Sequence, residues 1–306
     1  MNERAKGYAA LTVTSIVWGT TWVVSKIGVT AIPALQMSAI RLFIAGSLFV
    51  SYFIFIKKFP VPTLRQFRWI GILAFFMFVL ANGFSTWGLQ YIPTGFSALI
   101  GALYPLSVVL IEKFFFRGKP LNLLTYVGLL LGIGGVAIVF YENAFHQHGP
   151  HFGLGITLAL IAMLSWSFGS IFLLHNRSNL NPYYGTGWQM LISSFMLFAW
   201  ISISGQHVPF SEIPLKAWLA IFYLVIFGSV IAFAAFIFSM KRLAPALASL
   251  YAYINPLVAM LLASVLLDEK LTLYMLWGSV VTLTGVFLVN YSIRRQKKQA
   301  IAELEQ

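Results

Sequence analysis

The sequence predicts an all-α, polytopic membrane protein with ten transmembrane helices arranged as two inverted five-helix repeats. Three observations point there: the shortage of charge, the length of the apolar runs, and a self-similarity near half the chain length. The 306 residues are 59% hydrophobic and 9% charged, with a mean hydropathy of +0.85. Soluble domains are about 45–50% apolar and about 25% charged. So few charges cannot cover a water-facing surface, so most of this surface faces lipid.

Crossing roughly 30 Å of hydrocarbon takes about 20 apolar residues in a helix. Breaking the chain at charges, prolines and polar clusters gives apolar stretches at 7–29, 33–56, 69–90, 94–116 and 123–141, then 152–174, 184–204, 215–239, 243–266 and 271–292. The runs are continuous, whereas a β-barrel would show alternating segments of about ten residues. Helices also satisfy their own backbone hydrogen bonds in lipid. The loops left over are short, so residues 1–306 read as a single transmembrane domain. Its first stretch, from Gly7 to about Val29, is too long for a secretory leader and lacks a small-residue cleavage signal, and reads as a retained span.

Orientation is expected from the basic residues. Sixteen of the 20 Lys and Arg fall in one alternate set of connections and two in the other, while Lys26 and Arg41 lie within spans. Cytoplasmic loops are enriched in Lys and Arg, which predicts that both termini are cytoplasmic. The same reading absorbs the net charge of +12, so no nucleic-acid partner is expected. With no cysteine in the chain, disulfides and thiol chemistry are excluded.

The chain then resembles itself. Trp18 pairs with Trp166 at a shift of 148, Trp69 with Trp218 at 149 and Pro105 with Pro256 at 151. Gly135-Val-Ala-Ile-Val-Phe-Tyr141 matches Gly285-Val-Phe-Leu-Val-Asn-Tyr291 at 150. The expected repeats are about 1–146 and 147–306. With five spans each, the second enters the membrane from the opposite side, the architecture that serves alternating access around a midplane site.

Candidate site residues follow from that architecture. Pro105 and Pro256 lie near the middle of matching spans and free the carbonyls of Gly101 and Ala252. They read as hinges, as packing kinks, or both. Tyr104 and Asn255 precede them, and Tyr251 lies one turn before Asn255. Ser97, Gly101 and Tyr104 share a face on the fourth stretch, and Ser15, Trp18, Trp22 and Lys26 form a stripe on the first. With Asn82 and Trp166, these residues would make an aromatic pocket bearing a few amides and hydroxyls, suited to a small amphipathic solute. The same aromatic stripes are also what packing or an interfacial belt would use.

Charges within hydrocarbon are candidates by default. Arg41 is expected either to anchor structure, on lipid phosphate or helix-end carbonyls, or to bind an anionic group of a solute. Lys26 is expected to snorkel to the interface, and Glu112 to pair locally with Lys113 or to act as a gate at one end of its span. No Asp or Glu lies at mid-span, which favours facilitated or loosely coupled transport over proton exchange. His146, His148 and His151 share a connecting loop, too poor in carboxylates to hold a metal. No phosphate-binding loop, dinucleotide fingerprint or H-E-x-x-H occurs, so no cofactor is expected. A membrane-embedded enzyme acting on lipids or isoprenoids is the alternative; it would need clustered acid, base or metal groups, and the sequence offers only Glu112 and His175 at one face.

Four stretches resemble the EamA-type branch of the drug/metabolite transporter superfamily. They are Trp18-Gly-Thr-Thr-Trp-Val-Val-Ser-Lys26, Arg41-Leu-Phe-Ile-Ala-Gly46, Gly88-Leu-Gln-Tyr-Ile-Pro-Thr-Gly95, and Asn255-Pro256 through Asp268-Glu269-Lys270. The resemblance implies a ten-helix inverted-repeat fold in the plasma membrane, the inner membrane of a bacterium. It also implies outward movement of small metabolites, amino acids or drugs, with membrane lipid as the surrounding partner. One departure is Arg117-Gly118-Lys119, where the family commonly carries a Gly-Glu pattern that Glu269 retains in the second half. The sequence sets neither the solute nor an oligomeric state.

Overall fold

A computed structural model describes residues 2–115, 121–146, 151–175, 180–243 and 251–304. Its helical segments run in the order α1 (Glu3–Val29), α2 (Ala34–Ile56), α3 (Leu64–Gly88), α4 (Thr94–Phe115), α5 (Leu123–His146), α6 (Phe152–His175), α7 (Pro182–Ser204), α8 (Leu215–Met240), α9 (Tyr251–Leu266) and α10 (Leu273–Leu304). No strand occurs among the described residues. Eight of these helices are long and apolar enough to cross a membrane, all but α1 and α9. α1 carries six Thr and Ser residues besides Glu3, Arg4, Lys6 and Lys26, which lowers its hydropathy. α9 is described over 16 residues, and positions 244–250 of the expected stretch lie outside the described part. The expectation of ten spans is thus met by eight helices on length and composition.

The hydroxyls of α1 explain how a polar helix sits in an apolar bundle. Thr14, Ser15, Thr20 and Thr21 each donate to a carbonyl three or four residues back, at Ala10, Leu11, Val17 and Trp18. Back-bonding of this kind satisfies the hydroxyl within its own helix, and Thr20 also meets the Tyr223 hydroxyl of α8 at 2.6 Å.

Three helices change pitch. α2 ends in a π-helical turn at Tyr52–Ile56, α3 is π-helical from Phe75 to Gly83, and α8 from Leu224 to Ile231. The segments in α3 and α8 begin 149 residues apart, at Phe75 and Leu224. π-turns inside α-helices are rare and often occur at functional sites. α4 is interrupted differently: its α-helical residues stop at Ala102 and resume at Tyr104. Pro105 is the second residue of the resumed helix, where a missing N–H costs nothing. Pro256, by contrast, lies inside α9 with no break in the described residues.

Packing sorts the helices into a ring and two flanking pairs. α1 runs against α8 and α9, α9 against α4, α4 against α6, and α6 against α3. Phe78 on α3 meets Phe233 on α8 at 5.6 Å between ring centroids and closes the ring. Outside it, α2 packs along α7 and α5 along α10. The α5–α10 seam is backbone-close: a Cβ on Gly285 would lie 2.3 Å from the Gly132 nitrogen, and one on Gly135 would lie 2.4 Å from the Thr282 nitrogen. In lipid, where apolar burial gives little drive, such close small-residue packing holds helices together.

Candidate functional site

The ring frames an open cavity of about 180 Å³ lined from α1, α3, α4, α6, α8 and α9, with Arg41 reaching in from α2. Trp18, Trp22, Asn82, Tyr104, Trp166, Tyr251 and Asn255 all line it, as do Pro256, Ser97 and Gly101. The stripe geometry accounts for this convergence. Trp18 and Trp22 stand one turn apart on α1, and Gly19 between them lets α9 approach, since a Cβ there would fall 2.5 Å from the Val258 Cβ.

Trp18 is the centre of the aromatic wall. Its ring lies 5.1 Å from each of Phe233, Phe236 and Tyr251, and 6.4 Å from Trp166 in an edge-on arrangement. Its indole N–H donates to the Gly228 carbonyl at 3.2 Å. Trp22 donates to the Asn255 Oδ1 at 3.1 Å, so the amide on α9 is fixed by the indole on α1. Tyr104 and Tyr251 contribute phenol rings from α4 and α9. The two indoles of α1 therefore offer flat apolar faces with their N–H groups already bonded.

Three polar groups on the wall are left over. The side-chain oxygens of Asn82 and Ser97 are buried without a hydrogen-bond partner. Arg41 is 5% exposed, and its Nε donates to the Ser229 Oγ at 2.9 Å; among the described residues its terminal nitrogens make no further bond or ion pair. Buried polar groups are nearly always satisfied, so the two unpartnered oxygens beside the guanidinium give the cavity unused hydrogen-bonding capacity for a polar molecule. Ser229 and Asn82 both lie on π-helical stretches, and neither the pitch change nor a lone serine in an apolar run gives a sequence signal.

The profile of the EamA-like transporter family matches residues 5–141 and again residues 153–291. The chain belongs to the EamA-like transporter family. It is 32% identical to the uncharacterized inner membrane transporter YedA of Escherichia coli K12 over 87% of this chain and 84% of that protein. It is 24% identical to the uncharacterized transporter YoaV of Bacillus subtilis over 92% and 96%, and 27% identical to a WAT1-related chloroplastic protein of Arabidopsis thaliana over 90% and 67%. A solved crystal structure, 19% identical, shares the fold with a TM-score of 0.66 over 95% of this chain and 99% of its own.

In this EamA-like transporter the remaining candidate charges lie away from the cavity wall. The Lys26 ammonium donates to the carbonyls of Leu89 and Ile92, in the connection that follows α3. A cation there is favoured by the helix dipole. Glu269, in the connection between α9 and α10, receives bonds from the Thr94 N–H and hydroxyl and the Gly95 N–H at the start of α4. Together they clamp both sides of the Gly88–Gly95 corner. Glu112 is exposed on the last turns of α4 and makes no ion pair with Lys113 or any other described residue, so the local pairing expected of it is absent there. Pro105 is buried outside the cavity wall. His148, Arg117, Gly118 and Lys119 lie outside the described residues, and among those described no three His, Asp or Glu side chains cluster as metal ligands.

Proposed function

We propose that this chain moves small metabolites or drugs, amino-acid-like or amphipathic in character, outward across the membrane by alternating access around the cavity. Trp18, Trp22, Tyr104, Trp166 and Tyr251 form its aromatic faces, with Asn82 and Asn255 as polar contacts. One observation carries the reading: a cavity walled by helices from both halves of the chain and bearing polar groups with no partner. Discontinuous helices around a midplane site are how secondary transporters build such a place. The repeat boundary near residue 146 gains support from the two family matches, 5–141 and 153–291, and from the π-helical segments 149 residues apart. Pro105 and Pro256 are the proposed hinges of α4 and α9.

Solute flux in proteoliposomes separates this reading from a lipid-modifying enzyme, which would change lipid extracts and carry nothing. Within a flux assay, Tyr104→Phe should weaken only solutes that bond the hydroxyl, by roughly 1–2 kcal/mol for one neutral bond. Asn255→Leu should do more harm, because it removes a polar contact and strands the Trp22 N–H that Asn255 accepts. Phe114→Ala, on an exposed ring near the end of α4, should leave apparent affinity unchanged. Wild-type affinity in both pocket variants would remove Tyr104 and Asn255 from the solute's path.

Both termini are proposed to be cytoplasmic, from the distribution of Lys and Arg. The chain has no native cysteine, so single cysteines at exposed positions report cleanly. Cysteine at His207 or Lys270 should react with an impermeant maleimide from outside intact cells, and cysteine at Arg65 should not. The opposite pattern would invert the orientation.

A further inference from the structure

We propose that Arg41 is the anion subsite of the cavity, and that the solute it selects is a small organic monocarboxylate with an apolar body and a separate N–H or O–H donor. The inference deepens the transport reading above and rests on it. Arg41 comes from α2, outside the ring, and its side chain crosses to the π-helical stretch of α8. There the Nε is fixed by Ser229 at 2.9 Å. The terminal nitrogens lie over Gly228: a Cβ on that glycine would be 3.0 Å from Nη2 and 2.8 Å from the Thr21 methyl. Gly228 is also the residue whose carbonyl holds Trp18. The guanidinium is thereby placed beside the centre of the aromatic wall.

Charge decides the ligand. Among the described residues Arg41 is the only ionisable cation on the cavity wall, and no Asp, Glu or His lines it. A guanidinium keeps its proton in proteins and presents donors in a planar fork that matches a carboxylate or a phosphate. Burying a charge without a counter-charge is costly, and a monocarboxylate neutralises Arg41 with nothing left over. A phosphate dianion would leave an excess negative charge in a cavity whose described wall offers no second cation. The unpartnered oxygens of Asn82 and Ser97 then supply acceptors for a donor elsewhere on the ligand. The aromatic faces of Trp18, Trp22 and Tyr251 take its apolar body.

The test uses the purified full chain in phosphatidylcholine nanodiscs, with tryptophan fluorescence as the readout and flux in proteoliposomes beside it. The probes are 4-hydroxybenzoate, 3-(4-hydroxyphenyl)propionate and 6-hydroxyhexanoate, each compared with its amide and its amine. At least one acid should bind tenfold or more tightly than its own amide and amine in the wild type. Arg41→Gln should abolish that preference. Gly228→Ala, which keeps the charge and crowds Nη2, should reduce it. Equal binding of acid and amide in the wild type would overturn the proposal, whatever the variants do, and so would a preference that survives Arg41→Gln. Competition by inorganic phosphate, or loss of acid binding in phosphatidylglycerol nanodiscs, would reassign Arg41 to a phosphate or a lipid headgroup and overturn it too. Flux of amides or amines equal to that of the acids would leave the transport reading standing and remove the carboxylate subsite alone. Failure of every probe to bind or to cross would overturn both.

Discussion

Glu269→Gln is expected to lower transport about tenfold without loss of the folded protein. The carboxylate of Glu269 accepts from the Thr94 and Gly95 N–H groups and from the Thr94 hydroxyl, so it closes the N-terminus of α4. Charge-assisted bonds of this kind contribute about 1.5–3 kcal/mol each. Glutamine keeps one acceptor oxygen and loses the charge, which leaves a deficit of about 1–2 kcal/mol at the Gly88–Gly95 corner. Every 1.4 kcal/mol is about tenfold in an equilibrium. Leu89 on one side of this corner and Ser97 on the other line the cavity, so loosening it redistributes the access states. The comparison is Asp268→Asn, on an exposed neighbour whose φ of 53° an asparagine tolerates; its flux should match wild type. Equal flux in the Glu269 and Asp268 variants would separate the corner from transport.

Trp18→Ala is expected to be the most damaging single change at the cavity. It deletes the ring that meets Trp166, Phe233, Phe236 and Tyr251 and leaves the Gly228 carbonyl without its donor. Truncating a buried Trp costs about 3–5 kcal/mol when the surroundings cannot collapse. Thermal stability in detergent should fall and flux should disappear. Trp18→Phe separates the two contributions: it keeps most of the ring contacts and loses one neutral bond, about 1 kcal/mol. The phenylalanine variant should therefore fold and retain part of its flux. Identical behaviour of the two variants would show that the bond to Gly228, rather than the aromatic centre, holds the site.

The helices were legible because lipid leaves the backbone one economical solution, and long apolar runs such as 33–56 and 123–141 have no other reading. Their ends were legible where proline or a polar cluster stops the run, as at Pro33 and Pro93. Trp18 and Trp22 could be found because large aromatics at helical spacing, on a helix rich in hydroxyls, stand out against Leu and Val. Arg41 stood out because a cation in hydrocarbon is costly. What stayed hidden depends on pairings between distant segments. The carbonyl partners of Lys26 appear only when the end of α3 is seen folded onto α1. Glu269 looks like a loop acid until α4 is seen to start against it. The π-helical stretches follow no composition rule, so the partnership of Ser229 with Arg41 had no signal, whereas Asn82 was visible as an amide in the middle of an apolar run. The break at Leu103 was foreshadowed by Pro105, while the described residues of α9 carry Pro256 without one.

The central claim is that one cavity between the two halves faces each side of the membrane in turn while holding the solute. Ala81, a small residue on the π-helical stretch of α3, lines that cavity, and the chain offers no competing thiol. The decisive measurement is the reaction rate of a single cysteine at Ala81 with an impermeant thiol reagent, applied to either face of oriented vesicles. Both faces should give labelling, and a transported solute should slow it from each. Labelling from one face only, at a rate the solute does not change, would contradict alternating access through this cavity.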